Sequence, residues 1–433
     1  MADSDGISHK RPPRWLRGWR LMVTLTVTAV MLVVLSLMTV VMLSGNLKPV
    51  IERAKHDGLP TTWAELGLTV NPQHAALIKQ MEALLAANKN YGSTYVYSGS
   101  VSYIIGHPGT PIPEGYIAHV KKRSAKDRQQ LGEWMATLRE PIRAVSAPDA
   151  FTWYKCSGVL QRVHQLAIEE FQAAEDPSVE QAENILNFSQ CIPPDSLWQL
   201  SMRSSCMSAS ARAIRFHLNQ LRMNPGHLPG LLRHVAADLD HVLEPASRGE
   251  FVFMTLAVQV DPELFAKNGG VSLPEILEYP LCMTLAHRLG RVEFLEDERA
   301  WSMAIRASPD PRGPVPPKPF TMPHIPAMLM SRIYRGDYPA RSAWYVTYPR
   351  TRLRLLATAA ALDDAPWPVD PWSTSGALLH ELRNADGVVL AVYAVGNNGR
   401  DDGGKLDDLV IELRAPKEAA IKAAAAAAIP PSP

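Results

Sequence analysis

Leu21–Leu43 reads LMVTLTVTAVMLVVLSLMTVVML, a run without a charge, a proline or a glycine. As an α-helix it would extend about 34 Å, against a hydrocarbon core of about 30 Å. Its four threonines and one serine fit that reading, because their hydroxyls can bond back to the helix's own carbonyls. The sequence therefore predicts a single transmembrane anchor at 21–43. Lys10, Arg11, Arg14, Arg17 and Arg20 precede it, whereas Lys48, Arg53 and Lys55 after it are diluted by Glu52 and Asp57. That asymmetry puts residues 1–20, a short basic tail, in the cytoplasm and everything from Ser44 onward outside. The expectation is a bacterial inner-membrane protein with an extracytoplasmic, periplasmic bulk. The apolar run is about twice a usual signal-peptide core and no A-x-A-like site follows it, so an uncleaved signal-anchor is expected.

Outward from this run, the 433 residues carry 46% hydrophobic and 20% charged side chains, a globular composition with room for two domains beyond the anchor. A formal charge of +1 lacks the basic field of a general nucleic-acid binder, so no nucleic-acid partner is expected. Cys156, Cys191, Cys206 and Cys282 form no C-x-x-C pair. Zinc is disfavoured, and Cys156 and Cys206, set among apolar neighbours, read as buried thiols, with a disulfide left open.

Most of the chain carries helical periodicity. Leu47–Asp57 extends as a stalk, and Pro72–Ala87 is amphipathic through Ile78, Met81, Leu84 and Leu85. Ser124–Val145, Phe151–Phe171 and Pro194–Met223 each place apolar residues on one stripe with a polar back. Pro-rich breaks frame a loose helix-turn-helix over 164–192. Residues 44–307 thus read as a helical bundle or irregular solenoid. Within them, Ser93–Ser98 and Val101–Ile105 alternate as a Tyr-rich hairpin. A proline-rich strap over 308–347 follows, because its 308–326 core cannot be helix or central strand. Helix returns at Tyr348–Leu362. Strands are expected at Ala377–Arg383, Val388–Val395 and Leu409–Leu413, the first two joined by a turn at Asn384–Gly387. An Ala/Pro-rich tail, 416–433, ends the chain.

The densest polar cluster is GNNGRDDGGKLDD, Gly396–Asp408. Asn397, Asn398, Asp401, Asp402, Asp407 and Asp408 supply the hard oxygens that Ca²⁺ prefers. The spacing is not that of an EF-hand, and a polar hairpin loop with internal Asx turns stands as the plainer alternative. Gly399–Lys405 also fits G-x-x-x-x-G-K, but Leu406 replaces the metal-binding hydroxyl and a strand follows in place of a helix. His227, His234 and His241 recur every seven residues. Helical rise separates successive ones by about 10 Å, too far to share a metal. Asp238 one turn away leaves a two-residue site as the alternative to an exposed row. No G-x-S-x-G, H-E-x-x-H or G-x-G-x-x-G occurs, and no catalytic set stands out.

Arg352–Leu362, Asp370-Pro371-Trp372, Val392–Gly404 and Asp408–Ile411 together resemble the end of the major pseudopilin of type II secretion systems. The chain from Leu21 to Leu413 is similar to membrane-anchored proteins of planctomycetes and verrucomicrobia that share an anchor, a helical middle and this pilin-like tail. The resemblance implies a helix packed on a small antiparallel sheet over 348–415. It also implies a calcium loop formed by Asn398, Asp401, Asp402 and Asp408, with Asn398 standing where an Asp is usual and Asp408 at the closing acidic position. Gly18 is followed by Trp19 and, five residues on, by Val23, so the peptidase processing of pilins is not expected. The function expected from these readings is a non-enzymatic, membrane-anchored envelope protein with a helical protein-interaction domain. The alternative is an accessory of type II secretion or pilus assembly, joining through the pilin-like module.

Overall fold

The computed structural model describes residues 14–44, 46–68, 70–88, 120–144, 150–257, 280–307, 338–373, 375–396, 399–405 and 408–413. The described chain is mainly helical, with one small sheet near its end. Eleven α-helices lie among the described residues: α1 Arg14–Ser44, α2 Lys48–His56, α3 Pro72–Ala87, α4 Ala125–Thr137, α5 Ala150–Gln172, α6 Val179–Ser189, α7 Leu197–Phe216, α8 Leu218–Leu221, α9 Leu228–Ala257, α10 Pro280–Ala307 and α11 Tyr338–Asp363. The Tyr-rich hairpin, the proline-rich 308–326 segment and the 416–433 tail lie outside the described residues.

Local chemistry sets the helix starts. Asn71 accepts the Gln73 N–H ahead of Pro72, which needs no donor at the first position of α3. Ser124 and Ser196 cap α4 and α7 in the same manner, and Ser178 with Gln181 forms a reciprocal capping box on α6. The helix expected over Ser124–Val145 stops at Thr137, where Leu138 turns extended. Pro141 lacks an N–H and biases Glu140 away from helix, so the chain runs on as a strap. That strap is pinned where Ile142 N–H donates to the Cys191 carbonyl at 2.8 Å and Asn71 N–H to the Arg143 carbonyl at 3.2 Å.

No helix among the described residues is long and apolar enough to cross a membrane. α1 opens on Arg14, Arg17 and Arg20, which charge its first two turns. Thr24, Thr26, Thr28 and Ser36 interrupt its apolar surface. The transmembrane anchor expected at 21–43 is corrected accordingly. The single-pass topology, the membrane as partner, the signal-anchor reading and the inner-membrane location with a periplasmic bulk all rested on that span, and they fall with it.

The core is built around α7, which packs against α5, α6, α9 and α11. The one-stripe reading of 194–223 is corrected here. Leu200, Met207, Ala211 and Ile214 are buried as expected, but so are Ser204, Ser208, Ser210 and Arg215 on the supposed polar back. Small hydroxyl side chains widen the buried face, leaving a narrow stripe through Met202, Ser205, Ala209 and Arg212 that reaches solvent. The same pressure acts at Gly249 of α9, where an added Cβ would lie 1.6 Å from the Asp195 carbonyl oxygen. Asp195 in turn holds Arg143 through two bonds of 2.7 and 2.8 Å, which ties the strap after α4 to the start of α7.

α11 begins ten residues before the expected Tyr348 and carries Pro349 inside it. Thr351 donates to the Ser204 carbonyl, Arg354 to Ser208 and Arg215 to Thr358. These partners advance in the same direction on both helices, so α7 and α11 lie parallel. β1 His380–Arg383, β2 Val389–Ala394 and β3 Leu409–Glu412 form an antiparallel sheet in the order β1-β2-β3. His380 faces Tyr393, and Ala391 faces Glu412. Asn384 closes the first turn by accepting the Asp386 and Val388 N–H groups, with Gly387 at φ 75°. Val392, Ala394, Leu409 and Ile411 join the sheet to the helical core.

Gly249→Ala tests the close approach, because alanine in a helix interior ordinarily gains about 1 kcal/mol over glycine. Here the sign reverses, and a loss of about 2–3 kcal/mol is expected from the clash, measured by urea denaturation.

Candidate functional site

The acidic loop after β2 is described at Asp401, Asp402 and Asp408, whereas Asn398 lies outside the described residues. Asp408 Oδ1 accepts the Gly396 N–H at 3.1 Å, and its Oδ2 accepts Asp402 N–H at 3.1 Å and Gly404 N–H at 2.9 Å. Asp401 Oδ1 accepts the Tyr393 hydroxyl at 3.0 Å and the Gly403 N–H at 2.9 Å. Its Oδ2 sits 3.5 Å from His380 Nδ1, and the His380 ring stacks on Tyr393. Burial, then the neighbouring Asp401 carboxylate, pushes the Tyr393 hydroxyl well above its ordinary range. Gly399, Gly403 and Gly404 take positive φ, which the coil of the loop requires. Among the described residues no group of three or more His, Cys, Asp or Glu is placed to hold a metal ion. In this geometry Asp408 works as the clasp of the loop, occupied by backbone donors.

Asp370 performs the same office one layer deeper. It is 1% exposed, and its two oxygens accept Val395 N–H at 2.7 Å and Trp372 N–H at 2.8 Å. The sequence offered a hint in Asp370-Pro371-Trp372, an acidic residue at the mouth of a turn.

Elsewhere the structure pairs a serine with a histidine. His164 Nε2 lies 2.9 Å from Ser210 Oγ, with Phe188 stacked on the imidazole. The two residues are 1% and 0% exposed, so no substrate reaches them, and the pair fastens α5 to α7. Burial lowers His164 from 6.5 to about 4, and it is neutral in the fold. His227, His234 and His241 are all exposed, with His234 Nε2 3.7 Å from Asp238. Cys156, Cys191 and Cys206 are buried, and burial drives Cys191 up to about 12.

Among the described residues a groove of about 390 Å³ lies between α4, α5 and α6. Leu131, Met135, Phe171 and Ile185 form its floor, and Arg128 and Glu170 stand at its rim. Under the rim, Arg123 is 3% exposed and donates to Glu170 at 2.5 Å, to Glu169 at 2.9 Å and to the Leu166 carbonyl at 3.4 Å. Burial raises both carboxyls, while Arg123 opposes that shift. Periodicity located Leu131, Met135 and Phe171 as core but not Ile185, and it could not show that α4, α5 and α6 leave a groove between them. The adjacent Glu169-Glu170 pair near the end of α5 was the available signal.

Comparison with protein-family models, curated proteins and solved structures gives no match.

Two pH- and charge-dependent outcomes follow from these sites. Below pH 6.5 the unfolded chain protonates its imidazole while buried His164 stays neutral, so stability present above that pH is lost as pH falls toward 4. The expected loss is about 2–3 kcal/mol between pH 7 and 4.5, read by urea denaturation, and His164→Gln should flatten that slope. Separately, Asp408→Ala strands three backbone donors and should cost about 2 kcal/mol even in chelator, measured by thermal melting.

Proposed function

We propose that this chain is a non-enzymatic scaffold whose helical part receives an amphipathic helix of a protein partner in the groove between α4, α5 and α6. The observation that carries the reading is the groove's build. An apolar floor of Leu131, Met135, Phe171 and Ile185 is edged by Lys121 and Arg128 together with Glu170. A helix laid into such a trough buries its apolar face on the floor and meets charges of both signs at the edges. The buried Arg123–Glu169–Glu170 network below fixes the α5 wall, so the trough is preformed and little ordering is needed on binding.

Gly132 gives a clean test. It lines the groove, it is exposed, and nothing lies within 4 Å of a Cβ built there. Gly132→Arg therefore fills the trough without disturbing the fold, and stability should stay level or rise by up to about 1 kcal/mol. In quantitative affinity capture from the native host, partners bound through the groove should fall at least tenfold with this variant. A partner set indifferent to Gly132→Arg overturns the reading. If that set consists of pseudopilins, co-assembly through the C-terminal β module takes its place.

A further inference from the structure

Four arginines converge where α7 meets α11. Arg212 and Arg215 stand about one turn apart on α7, and Arg350 and Arg354 stand one turn apart on α11. Arg215, 3% exposed, donates through Nη1 to Thr358 Oγ1 at 2.7 Å and through Nε to the Glu412 carbonyl at 2.8 Å. Arg354 Nη1 donates to Ser208 Oγ at 2.7 Å. Hydroxyls and a carbonyl satisfy hydrogen bonds, but they bring no negative charge. Arg350 Nε is buried without a hydrogen-bond partner among the described residues.

The charges do not balance. Burial and the guanidinium groups of Arg212 and Arg354 pull Arg215 down, and burial with Arg212 and Arg350 does the same to Arg354. Among the described residues Glu412 is the carboxylate that acts on Arg212 and Arg215. The C-terminal end of α7 adds roughly half a negative charge beside Arg215. Arg354 sits more than two turns from the end of α11 and gains nothing comparable. Among the described residues, four cations thus face about one and a half compensating charges, in a place where an uncompensated charge is expensive to keep.

The missing partner is an anion with about two charges and several oxygens. Guanidinium forks arriving from two helices suit a tetrahedral oxyanion, whereas a lone carboxylate is filled by one or two forks. Arg212, Arg350 and Arg354 are only half-buried, so the seam is open to solvent on their side. We propose that the seam between α7 and α11 binds a phosphate-class dianion, free or as a phosphomonoester, held by Arg212, Arg350 and Arg354. This site is independent of the helical groove.

Calorimetric titration of the full chain with inorganic phosphate and with glycerol 3-phosphate, against chloride of matched ionic strength, tests the proposal. One saturable site and a raised melting temperature are expected. Tighter binding of phosphate identifies the free ion as ligand, and tighter binding of glycerol 3-phosphate identifies the ester. Arg354→Gln and Arg212→Gln should each weaken binding at least tenfold. Arg354→Lys keeps the charge but loses the fork, so it should weaken binding to a similar degree while preserving the fold. Arg352→Gln, which removes the ion pair with Asp240, should bind as the parent does. No saturable signal beyond chloride overturns the proposal. Equal binding by the parent and a folded Arg354→Lys chain does so too.

Discussion

The enclosure of α7 governs this molecule. A helix packed against α5, α6, α9 and α11 has little room for bulky residues over most of its circumference. Serines and alanines at Ser204, Ser208, Ser210, Ala211 and Ala213 let four neighbours come close. At the head of the helix, the Asp195 carbonyl lies where a Cβ on Gly249 would have to be. The Asp195 carboxylate meanwhile takes Arg143 from the strap after α4. One position therefore sets the depth of α9, the start of α7 and the path of the strap.

Dense packing of this kind traps polar groups, and the molecule resolves each case differently. His164 stays neutral and shares a hydrogen bond with Ser210. Arg123 remains charged between Glu169 and Glu170, a triad with two acids for one base whose carboxyls are raised by burial. Asp370 and Asp408 are met by backbone N–H groups in the sheet region. In each of these the local charge or donor count is answered nearby. The arginines of the α7–α11 seam carry an excess of positive charge instead, and that excess marks a prospective ligand site.

Periodicity and capping made much of the secondary structure readable. Pro72–Ala87 has the bounds of α3, and the three strands near the end lie within their expected ranges. Three readings failed for identifiable reasons. At Ser124–Val145 the apolar spacing continued past Thr137, but Pro141 and the bond from Ile142 to the Cys191 carbonyl drew the chain out of the helix. At 194–223 polar residues were taken as a solvent face, because hydroxyls and arginines look alike in a pattern whether water or Thr358 meets them. The anchor reading was overturned as well, because no helix among the described residues is long and apolar enough to cross a membrane. The groove and the arginine seam join residues scores of positions apart, a relation that no local pattern encodes.

The pairing of α7 with α11 also bears on how the chain is made. Thr351 meets the Ser204 carbonyl across 147 residues of sequence, and parallel helices cannot be joined by a short hairpin loop. When the ribosome has released the first three hundred residues, the α11-facing side of α7 is still bare. Its completion waits on the emergence of α11, so the nascent polypeptide passes through a long interval with its centre uncovered. Premature termination before Tyr338 would leave that interval without an end, and such fragments would be natural clients for chaperones and proteases.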